Sequence, residues 1–431
     1  MKTVAFCTLG CKVNQYETEA MTELFKEKNY IINDFEDISD IYVINTCTVT
    51  GMGDKKSRQM IRRAKSMNPD AVIAVVGCYS QVSHDEVKKI DGVSIILGTD
   101  ERKNIVTYVE DYMSQGKSIS KVGDIMKNHN FENLWITSYE SRTRAFVKIE
   151  DGCNEFCSYC IIPYARGPVR SRDLEDIKKE VTALSENGFK EIVLTGIHLA
   201  SYGKDMQDVS LIDAIRAVEG VDGIERIRLG SIEPRLLTEE FIKEISQMKK
   251  MCNHFHISLQ SGCNATLKRM NRKYTSEDFF HSVNLLRKYF DNPAITTDII
   301  VGFPGETGEE FKESLSFAKK LNLSEAHVFS YSNRKGTRAD KMPNQISKKV
   351  KEERNKEMSS LCNDMHQAYV DEHLNKTYSV LFEQEIEKGV FEGHMTNYIK
   401  VVAHSDVDIC HRILPVHITE HKDGVAYGEI V

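Results

Sequence analysis

No stretch of this sequence reaches the run of about eighteen apolar residues that a membrane-spanning helix requires. The chain also lacks the basic start and apolar core of an export signal, because Met1 is followed almost directly by a short strand-like segment. An excess of positive charge is missing too, since 57 Lys and Arg stand against 64 Asp and Glu, for a formal net charge of -7. These absences predict a cytoplasmic protein that does not span a membrane, and any RNA contact must use local basic patches.

A disulfide framework is not expected either. Eleven cysteines are unevenly clustered in 431 residues, and thiols remain reduced in the cytosol. The cysteines therefore point to metal ligation. With 41% hydrophobic residues, the chain is long enough for two or three domains with their own cores.

The densest cysteine cluster has no fourth member nearby. Cys153, Cys157 and Cys160 follow the spacing C-x3-C-x2-C, and the next cysteine in the chain is Cys252. Three thiolates in one short loop can hold a cubane iron–sulfur cluster and leave its fourth iron without a protein ligand. The alternatives are a chance group of buried cysteines or a zinc site, although zinc sites usually show paired C-x2-C units.

Three further cysteines follow predicted strands in the first part of the chain. Apolar runs at 4–9, 41–45, 71–76 and 93–97 alternate with helical stretches, which predicts a doubly wound parallel sheet in residues 1–113. Cys11, Cys47 and Cys78 each stand just beyond the end of one of these runs. Because the carboxyl ends of parallel strands meet at one edge, the three thiols are expected to form a second cluster site. The alternative is three small buried residues at strand ends.

The rest of the chain divides into a linker and two more domains. Periodicity weakens between residues 114 and 142, where we place the linker. Residues 143–373 contain six strand–helix repeats, too few for an eight-fold barrel, so a partial (β/α)6 barrel with an open side is predicted. Its strands are expected at 145–149, 192–195, 224–229, 254–259, 295–301 and 326–329. After a long helical stretch, the short alternating strands of residues 374–431 predict a small antiparallel β-barrel.

Several motifs together carry a family resemblance that covers essentially the whole chain. Beside the central cysteine loop, they are Leu9-Gly10-Cys11-Lys12-Val13-Asn14, Asn45-Thr46-Cys47, Gly77-Cys78, Arg166-Gly167-Pro168 and residues 298–307, DIIVGFPGET. These motifs resemble those of the radical S-adenosylmethionine (SAM) methylthiotransferases. The first motif and the arginine-rich segment after the central loop are most similar to the branch that acts on threonylcarbamoyladenosine in transfer RNA.

The resemblance implies two 4Fe-4S clusters, one held by each cysteine set, with SAM bound at the central cluster. SAM would serve as methyl donor and as source of the 5′-deoxyadenosyl radical, and the product would be N6-threonylcarbamoyladenosine methylthiolated at C2, at position 37 of tRNA. Expected partners are the tRNA, a low-potential electron donor of the flavodoxin or ferredoxin type, and a sulfur source, with the protein acting as a monomer. The alternatives are isopentenyladenosine in tRNA or a ribosomal-protein aspartate as substrate, a second cluster that only transfers electrons, and a non-enzymatic iron–sulfur scaffold.

Residues at the predicted strand ends of the barrel are candidates for SAM binding. Tyr159, between two cluster cysteines, is a candidate to stack on adenine, and Ser231 with Glu233 could hydrogen-bond the ribose. Gln260 and Gly302 stand at two further strand ends, where glycine lets the backbone approach a ligand. The alternative for each of these stretches is ordinary turn chemistry.

Two basic segments are candidates for contact with RNA phosphates. The C-terminal domain resembles a TRAM domain, but residues 376–431 hold five Lys or Arg against nine Asp or Glu, so strong phosphate binding is not expected there. An acidic barrel of this kind could instead meet a basic protein. The basic candidates lie near the cysteines: Lys55, Lys56, Arg58, Arg62 and Arg63 beside Cys47, and Arg166, Arg170 and Arg172 after Cys160. The alternatives are a solvated helix face for the first group and a solvated basic loop for the second.

Overall fold

The structure, a computed structural model, describes residues 1–137 and 143–431. Residues 1–121 form a parallel sheet flanked by helices. Its strands are β1 (Thr3–Thr8), β2 (Ile31–Asn33), β3 (Ile41–Thr46), β4 (Val72–Gly77), β5 (Val93–Leu97) and β6 (Ile119–Lys121), in the order β2-β1-β3-β4-β5-β6. The order reverses between β1 and β3, which is the switch point of a doubly wound sheet. The predicted doubly wound sheet is therefore confirmed.

Helices cover both faces of this sheet. They are α1 (Lys12–Glu27), α2 (Gly51–Met67), α3 (Cys78–Val82), α4 (His84–Val87) and α5 (Ile105–Gln115), with a 3-10 turn at Arg102–Asn104. Alternate residues of the buried strands belong to two separate hydrophobic cores, one on each face of the sheet. Val43 packs with α1 and α5, whereas Ile44 packs with α2. This alternation is the pleat of a sheet that is buried on both faces.

The linker begins later in the structure than the sequence predicts. Helix α5 continues to Gln115, and β6 pairs with β5. The predicted start at residue 114 is therefore wrong, because a strand of three residues gives too short a hydrophobic pattern to be recognised in the sequence. A 3-10 turn at Ile125–Lys127 follows. Residues 138–142 of the predicted linker lie outside the described residues.

The central domain is the predicted partial barrel. Six parallel strands carry it within residues 143–330: β7 (Arg144–Lys148), β10 (Glu191–Thr195), β11 (Arg226–Leu229), β12 (His254–His256), β13 (Ala294–Val301) and β14 (Glu325–Ser330). They form two three-stranded sheets, β7-β10-β11 and β12-β13-β14, joined by bridges from Ile227 to Met251 and from Ile232 to Ile257. Between β7 and β10 lies a small antiparallel pair, β8 (Glu150–Asp151) and β9 (Arg170–Ser171).

The barrel helices lie outside the strands and complete its core. They are α6 (Ile162–Arg166), α7 (Leu174–Glu186), α8 (Leu211–Glu219), α9 (Glu239–Ile245), α10 (Asn264–Arg269), α11 (Ser276–Tyr289), α12 (Gly308–Leu321) and α13 (Lys348–Asp371), with 3-10 turns at Leu199–Ser201, Pro234–Leu236 and Ala339–Lys341. Capping boxes at Ser210, Thr275 and Thr307 satisfy the first amides of α8, α11 and α12. The local sequence therefore fixes where these helices begin.

Residues 377–430 form a closed five-stranded barrel. Its strands are β15 (Thr377–Glu387), β16 (Val390–Met395), β17 (Lys400–His404), β18 (Ile413–Lys422) and β19 (Val425–Ile430), in the closed order β15-β16-β17-β19-β18. The predicted small barrel is confirmed, but the pair β17 and β19 is parallel. A turn after Met395 ends β16 and leads into β17. Over the two described ranges, no helix is long and apolar enough to cross a membrane.

Candidate active site

The three N-terminal cysteines meet at the carboxyl edge of the first sheet. Cys11 precedes α1, Cys47 directly follows β3, and Cys78 directly follows β4. The backbone beside Cys11 comes very close to Cys47. Gly10 has a φ of +108°, and a Cβ added to it would lie 3.1 Å from Sγ of Cys47. Burial raises the pKa of the Cys78 thiol to about 12, against the charge of Arg166, and Cys11 and Cys47 add to the rise. The predicted convergence of these thiols is therefore present in the structure.

The central cysteines occupy a loop held by the barrel behind it. The amide of Cys160 donates to the carbonyl of Cys157 over 2.9 Å, and the amide of Ser158 donates to the carbonyl of Met270 over 2.9 Å. Nη1 of Arg272 lies 3.2 Å from Sγ of Cys157. Burial, with the neighbouring Cys157, raises the pKa of the Cys160 thiol to about 12. The loop conformation is thus set by its own turn and by the segment around Met270 and Arg272.

The donor chemistry of each cysteine set fits an iron–sulfur cluster. Thiolates are the ligands that such clusters prefer, and three of them leave one iron of a cubane open. Burial raises the pKa of the Cys78 and Cys160 thiols, so these two ionise only when a bound cation displaces their protons. Hydrogen bonds and positive charge near the sulfurs are also typical of cluster sites, and Arg166 and Arg272 supply them.

One side chain connects the two cysteine sets across the domain interface. Helix α6 starts two residues after Cys160 and ends at Arg166, and it packs against α3. Nε of Arg166 lies 3.2 Å from Sγ of Cys78, while Nη2 donates to Oδ1 of Asn14 over 2.6 Å and to Oε2 of Glu17 over 3.0 Å. The loop that carries the central cysteines is therefore fixed directly against the N-terminal thiols.

A fully buried charge network surrounds this contact. Glu17 on α1 pairs with Arg102 at 2.5 Å, with Lys148 at 2.9 Å and with Arg166, and Lys148 also pairs with Asp151 at 2.8 Å. Although burial alone would raise it, the pKa of Glu17 is held at about 2 by the charges of Arg102, Arg166 and Lys148. Glu17 therefore remains ionised and joins α1 to the barrel.

The structure contradicts the prediction that Arg166, Arg170 and Arg172 contact RNA. Each of them is at most 2% exposed. Arg170 lies 3.5 Å from the Asp151 carboxylate, and Arg172 pairs with a buried glutamate of α7, Glu180. The physical reason is that the segment after Cys160 folds beneath the N-terminal domain, where its guanidinium groups neutralise buried carboxylates.

The basic face of α2 remains a candidate surface for RNA. This helix begins four residues after Cys47, and Lys55, Lys56, Arg62 and Arg63 are exposed on it. Arg58 is half-buried and donates to the hydroxyl of Tyr79 over 2.9 Å, and Arg63 pairs with Glu36. Exposed cations thus lie next to the N-terminal thiols, although two of the five predicted side chains already have partners within the protein.

Glu233, predicted to bind the ribose of SAM, lies close to the central cysteine loop. It is 3% exposed and pairs with Arg235 at 2.5 Å and with Arg272 at 3.4 Å. Burial raises its pKa, but a hydrogen bond with His198 and the charge of Arg272 hold that pKa at about 2. Arg272 also donates to Cys157, so the Glu233 carboxylate lies beside the loop of the central cysteines. Because it is ionised, it can accept hydrogen bonds from hydroxyl groups.

The other predicted SAM residues line the same end of the barrel. Tyr159 packs edge-on against Phe303 at 6.4 Å, and Oγ of Ser231 lies 3.0 Å from that of Ser258. Gln260 has a φ of +65°. A Cβ at Gly302 would lie 2.4 Å from Cγ of Lys351, so packing alone requires this glycine. The contact of these four residues with SAM stays a prediction.

Sequence reasoning missed Arg272 and the side chain of Lys12. Arg272 lies in the turn after α10, far from Cys157 in sequence, and no local spacing marks it. Lys12 follows Cys11, but its sequence context does not reveal that its ammonium lies 6.0 Å from the ring centre of Phe146 on β7. Both residues act across elements, which is why only the folded chain identifies them.

Comparison with known proteins assigns this site to a class. Residues 147–318 match the Radical SAM superfamily, and residues 3–98 match the uncharacterized protein family UPF0004. In fold, the chain is similar to the radical SAM methyltransferase TsrM from Kitasatospora setae, with a TM-score of 0.57 and 14% identity over 76% of this chain and 75% of that one. The protein is thus a radical SAM enzyme, and this class implies SAM and a 4Fe-4S cluster, for which the central cysteines fit.

Curated relatives narrow the class to one family. The chain is 46% identical to the threonylcarbamoyladenosine tRNA methylthiotransferase MtaB of Bacillus subtilis, covering 100% of this chain and 96% of the relative. It is 39% identical to the MtaB of Thermotoga maritima, over 93% and 91%. It is also 37% identical to a tRNA-2-methylthio-N(6)-dimethylallyladenosine synthase of Clostridium tetani, over 98% and 95%. The chain belongs to the radical SAM methylthiotransferase family, and it is an enzyme that transfers a methylthio group.

Proposed function

We propose that this enzyme methylthiolates C2 of N6-threonylcarbamoyladenosine at position 37 of tRNA. The observation that carries the proposal is the contact between Arg166 and Cys78, because it sets two three-thiol sites against each other across one interface. Similarity supports the substrate: three relatives that share 39 to 46% identity with the chain are named for threonylcarbamoyladenosine. The exposed cations of α2 beside Cys47 are the surface that would meet the tRNA backbone.

Each cysteine set has its own role in this proposal. Cys153, Cys157 and Cys160 would hold the cluster that binds SAM, and Cys11, Cys47 and Cys78 would hold an auxiliary cluster. When bound, the clusters would supply the electron and an iron that anchors sulfur, and SAM would supply the methyl group and the 5′-deoxyadenosyl radical. The protein positions them: Arg272 fixes the central loop, Arg166 fixes that loop against the auxiliary site, and burial around Glu17 excludes water.

The proposal also includes the remaining partners and SAM contacts. A low-potential donor of the flavodoxin or ferredoxin type would reduce the clusters, and a separate sulfur source would supply the inserted atom. Glu233 and Ser231 would accept and donate hydrogen bonds at the ribose, Tyr159 would stack on the adenine, and Gln260 and Gly302 would also contact SAM. The enzyme would act as a monomer in the cytoplasm.

Nucleoside analysis of tRNA from a strain that lacks the gene tests the substrate. We expect 2-methylthio-N6-threonylcarbamoyladenosine to disappear while its unthiolated precursor accumulates, and a plasmid copy of the gene should restore it. Loss of the methylthiolated isopentenyladenosine instead would assign the enzyme to the other tRNA substrate. Unchanged tRNA with an altered ribosomal-protein mass would overturn the tRNA assignment altogether.

A further inference from the structure

The interior of the central barrel is polar and carries excess positive charge near its N-terminal end. On β10 and β11, the residues at 192, 194 and 227 pack outward against the helices. Arg226 and Arg228 lie on the opposite, inner face of β11, and both pair with Glu191 of β10. His254 on β12 also belongs to this interior, and its pKa is lowered well below its ordinary value by burial and by Arg228. His254 is therefore neutral and adds no charge to this interior.

Lys12 brings a further cation to this interior from the N-terminal domain. Its ammonium faces the ring of Phe146 at 6.0 Å, and Phe146 lies on the same face of β7 as Arg144. Burial lowers the pKa of Lys12, and Tyr398 and Glu191 oppose this effect while Arg228 and Arg144 add to it. Over residues 1–137 and 143–431, Nζ of Lys12 has no hydrogen-bond or ion-pair partner. A half-buried ammonium without a partner has lost hydration that nothing in the protein replaces, so an anionic ligand would stabilise it.

Tyr398 enters the same space from the C-terminal barrel. It lies in the turn between β16 and β17 with a φ of +72°, a conformation that costs energy for a residue other than glycine. Its ring stacks with His254 at 4.9 Å and with His394 at 4.7 Å. The guanidinium groups of Arg144 and Arg228 lie 4.9 and 4.7 Å from the ring centre. These contacts fix the ring, yet in the described part of the chain the Tyr398 hydroxyl has no hydrogen-bond partner.

The charges around this space do not balance. Lys12, Arg144, Arg226 and Arg228 contribute four cations, and Glu191 and Glu383 contribute two carboxylates. Both arginines at the Tyr398 ring are already hydrogen-bonded, Arg144 to Glu383 and Arg228 to Glu191 and to the carbonyl of Thr396. Beside Nδ1 of His254, which also lacks a partner, the groups left to bind a ligand are the Lys12 ammonium and the Tyr398 hydroxyl.

We propose that Lys12 and Tyr398 form a binding site for the carboxylate on the modified base of the substrate. The inference rests on the proposed function, in which the adenine carries an amino-acid group that ends in a carboxylate. An ammonium and a phenol hydroxyl can both donate to one carboxylate, and the surrounding cations favour its charge. A hydrocarbon substituent on the base offers no such acceptor and would leave Lys12 without a partner, so this pair selects the acidic nucleoside.

A phosphate of the RNA backbone has the same anionic chemistry, so the test must separate the two sources. Two anticodon stem-loop RNAs are compared with the reconstituted enzyme: one carries threonylcarbamoyladenosine, and the other carries the same nucleoside with its carboxylate converted to a primary amide. Both RNAs have identical phosphates. We expect the wild-type enzyme to favour the acid over the amide by about tenfold or more in kcat/KM.

The variants are Lys12→Met, Lys12→Arg and Tyr398→Phe, with Lys117→Met as the control at an exposed lysine. Lys12→Met should lower kcat/KM for the acid by about tenfold or more, leave the amide within about twofold, and so abolish the preference. Lys12→Arg should retain part of the preference, and Lys117→Met should retain all of it. Tyr398→Phe should weaken it by about threefold, and adding this change to Lys12→Met should have little further effect.

Iron content and deoxyadenosine formation are measured in every variant. Lys12 adjoins Cys11, so Lys12→Met could lose iron. In that case Tyr398→Phe, which changes a residue of another domain, becomes the variant that tests the inference. An unchanged acid preference in the variants that keep their iron would overturn the inference. An equal loss on both RNAs would overturn it in favour of a phosphate contact. Wild-type enzyme that thiolates neither RNA would overturn the proposed function itself, together with this inference.

Discussion

Arg166 shows how much of the site depends on single buried charges. Its guanidinium contacts a sulfur, an amide oxygen and a carboxylate at once, and it comes from the barrel while all three partners belong to the N-terminal domain. A buried ion pair contributes little net stability compared with apolar packing, but it is costly to break from one side. The network therefore works mainly as a device that fixes the relative position of the two cysteine sets.

Glu17→Gln is expected to destabilise the folded protein by about 3–5 kcal/mol, because Arg102, Lys148 and Arg166 would lose their shared carboxylate. Glu27→Gln, at the exposed end of α1, is the matched control and should change stability by less than about 0.5 kcal/mol. Urea unfolding, followed by the fluorescence of the single tryptophan, Trp135, measures both.

The stability that Glu17 contributes to the folded protein depends on pH in a predictable direction. The folded pKa of Glu17, about 2, lies below its ordinary value of 4.5, so its contribution is fully present above pH 4.5 and is lost as pH falls toward 2. The difference between wild type and Glu17→Gln should therefore be flat from about pH 5.5 to 8. A penalty that grows steadily across that range would mean that Glu17 is not permanently ionised.

Residue roles could be predicted from the sequence where spacing determines them. Cys153, Cys157 and Cys160 are recognisable because their ligand geometry is local. The arginines after Cys160 were assigned to the wrong partner, because a sequence shows where a charge is and not what neutralises it. In the fold, Arg166 meets a glutamate 149 residues away. Lys12 is a second example, since its surroundings come from strands of the central barrel and from a turn of the C-terminal barrel.

At the scale of elements, the strand ends determine where the chemistry lies. The long apolar strands β3 and β4 are fully buried, and their positions, and hence those of Cys47 and Cys78, follow from hydrophobic runs alone. The three-residue strands β2 and β6 were missed, since they are half-exposed and too short to show a period. Neither of these edge strands carries a cysteine. The candidate site could therefore be predicted from the sequence, although the predicted sheet lacked both strands.

The two sets of strand-end cysteines are expected to have separable roles. Reconstituted wild-type protein should hold about eight irons, and each triple Cys→Ala variant about four. The Cys153, Cys157, Cys160 variant should form no deoxyadenosine, because the SAM-binding cluster is lost. The Cys11, Cys47, Cys78 variant should still form deoxyadenosine but no methylthiolated nucleoside. Methylthiolated product from this second variant, shown to be folded, would mean that the strand-end cysteines only pack.

At the scale of the whole molecule, the site is assembled from all three domains. The N-terminal domain supplies Lys12 and one thiol set, the barrel supplies the other set, and the C-terminal barrel supplies Tyr398. The C-terminal barrel is fixed to β11, where Arg226 donates to the carbonyls of Ser379 and His394. Its small barrel could be predicted from short alternating strands. The position of Tyr398 against His254 depends on one turn with positive φ, and the sequence does not reveal it.

A second contact joins the N-terminal domain to the barrel beside Cys47. Nη2 of Arg334, which follows β14, lies 2.7 Å from Asp54 on α2 and 2.6 Å from the hydroxyl of Thr48. The amide of Gly51 also donates to Oγ of Ser332 over 3.2 Å. Together with the Arg166 network, this contact holds Cys11, Cys47 and Cys78 at a defined position relative to the central loop.

Exchanging the charges of this second contact tests whether domain docking controls the coupling of the two sites. Asp54→Arg and Arg334→Asp each place like charges together, so each should lower the methylthiolated product formed per deoxyadenosine by about tenfold, while deoxyadenosine formation continues. The double exchange restores an attractive pair and should recover part of that ratio. The control exchanges Lys348 and Glu352, an exposed pair on α13 at 3.5 Å, and should change nothing measurable. If both single variants keep the wild-type ratio, the Arg334 contact does not position the auxiliary site, and the Arg166 network alone sets the distance between the thiol sets.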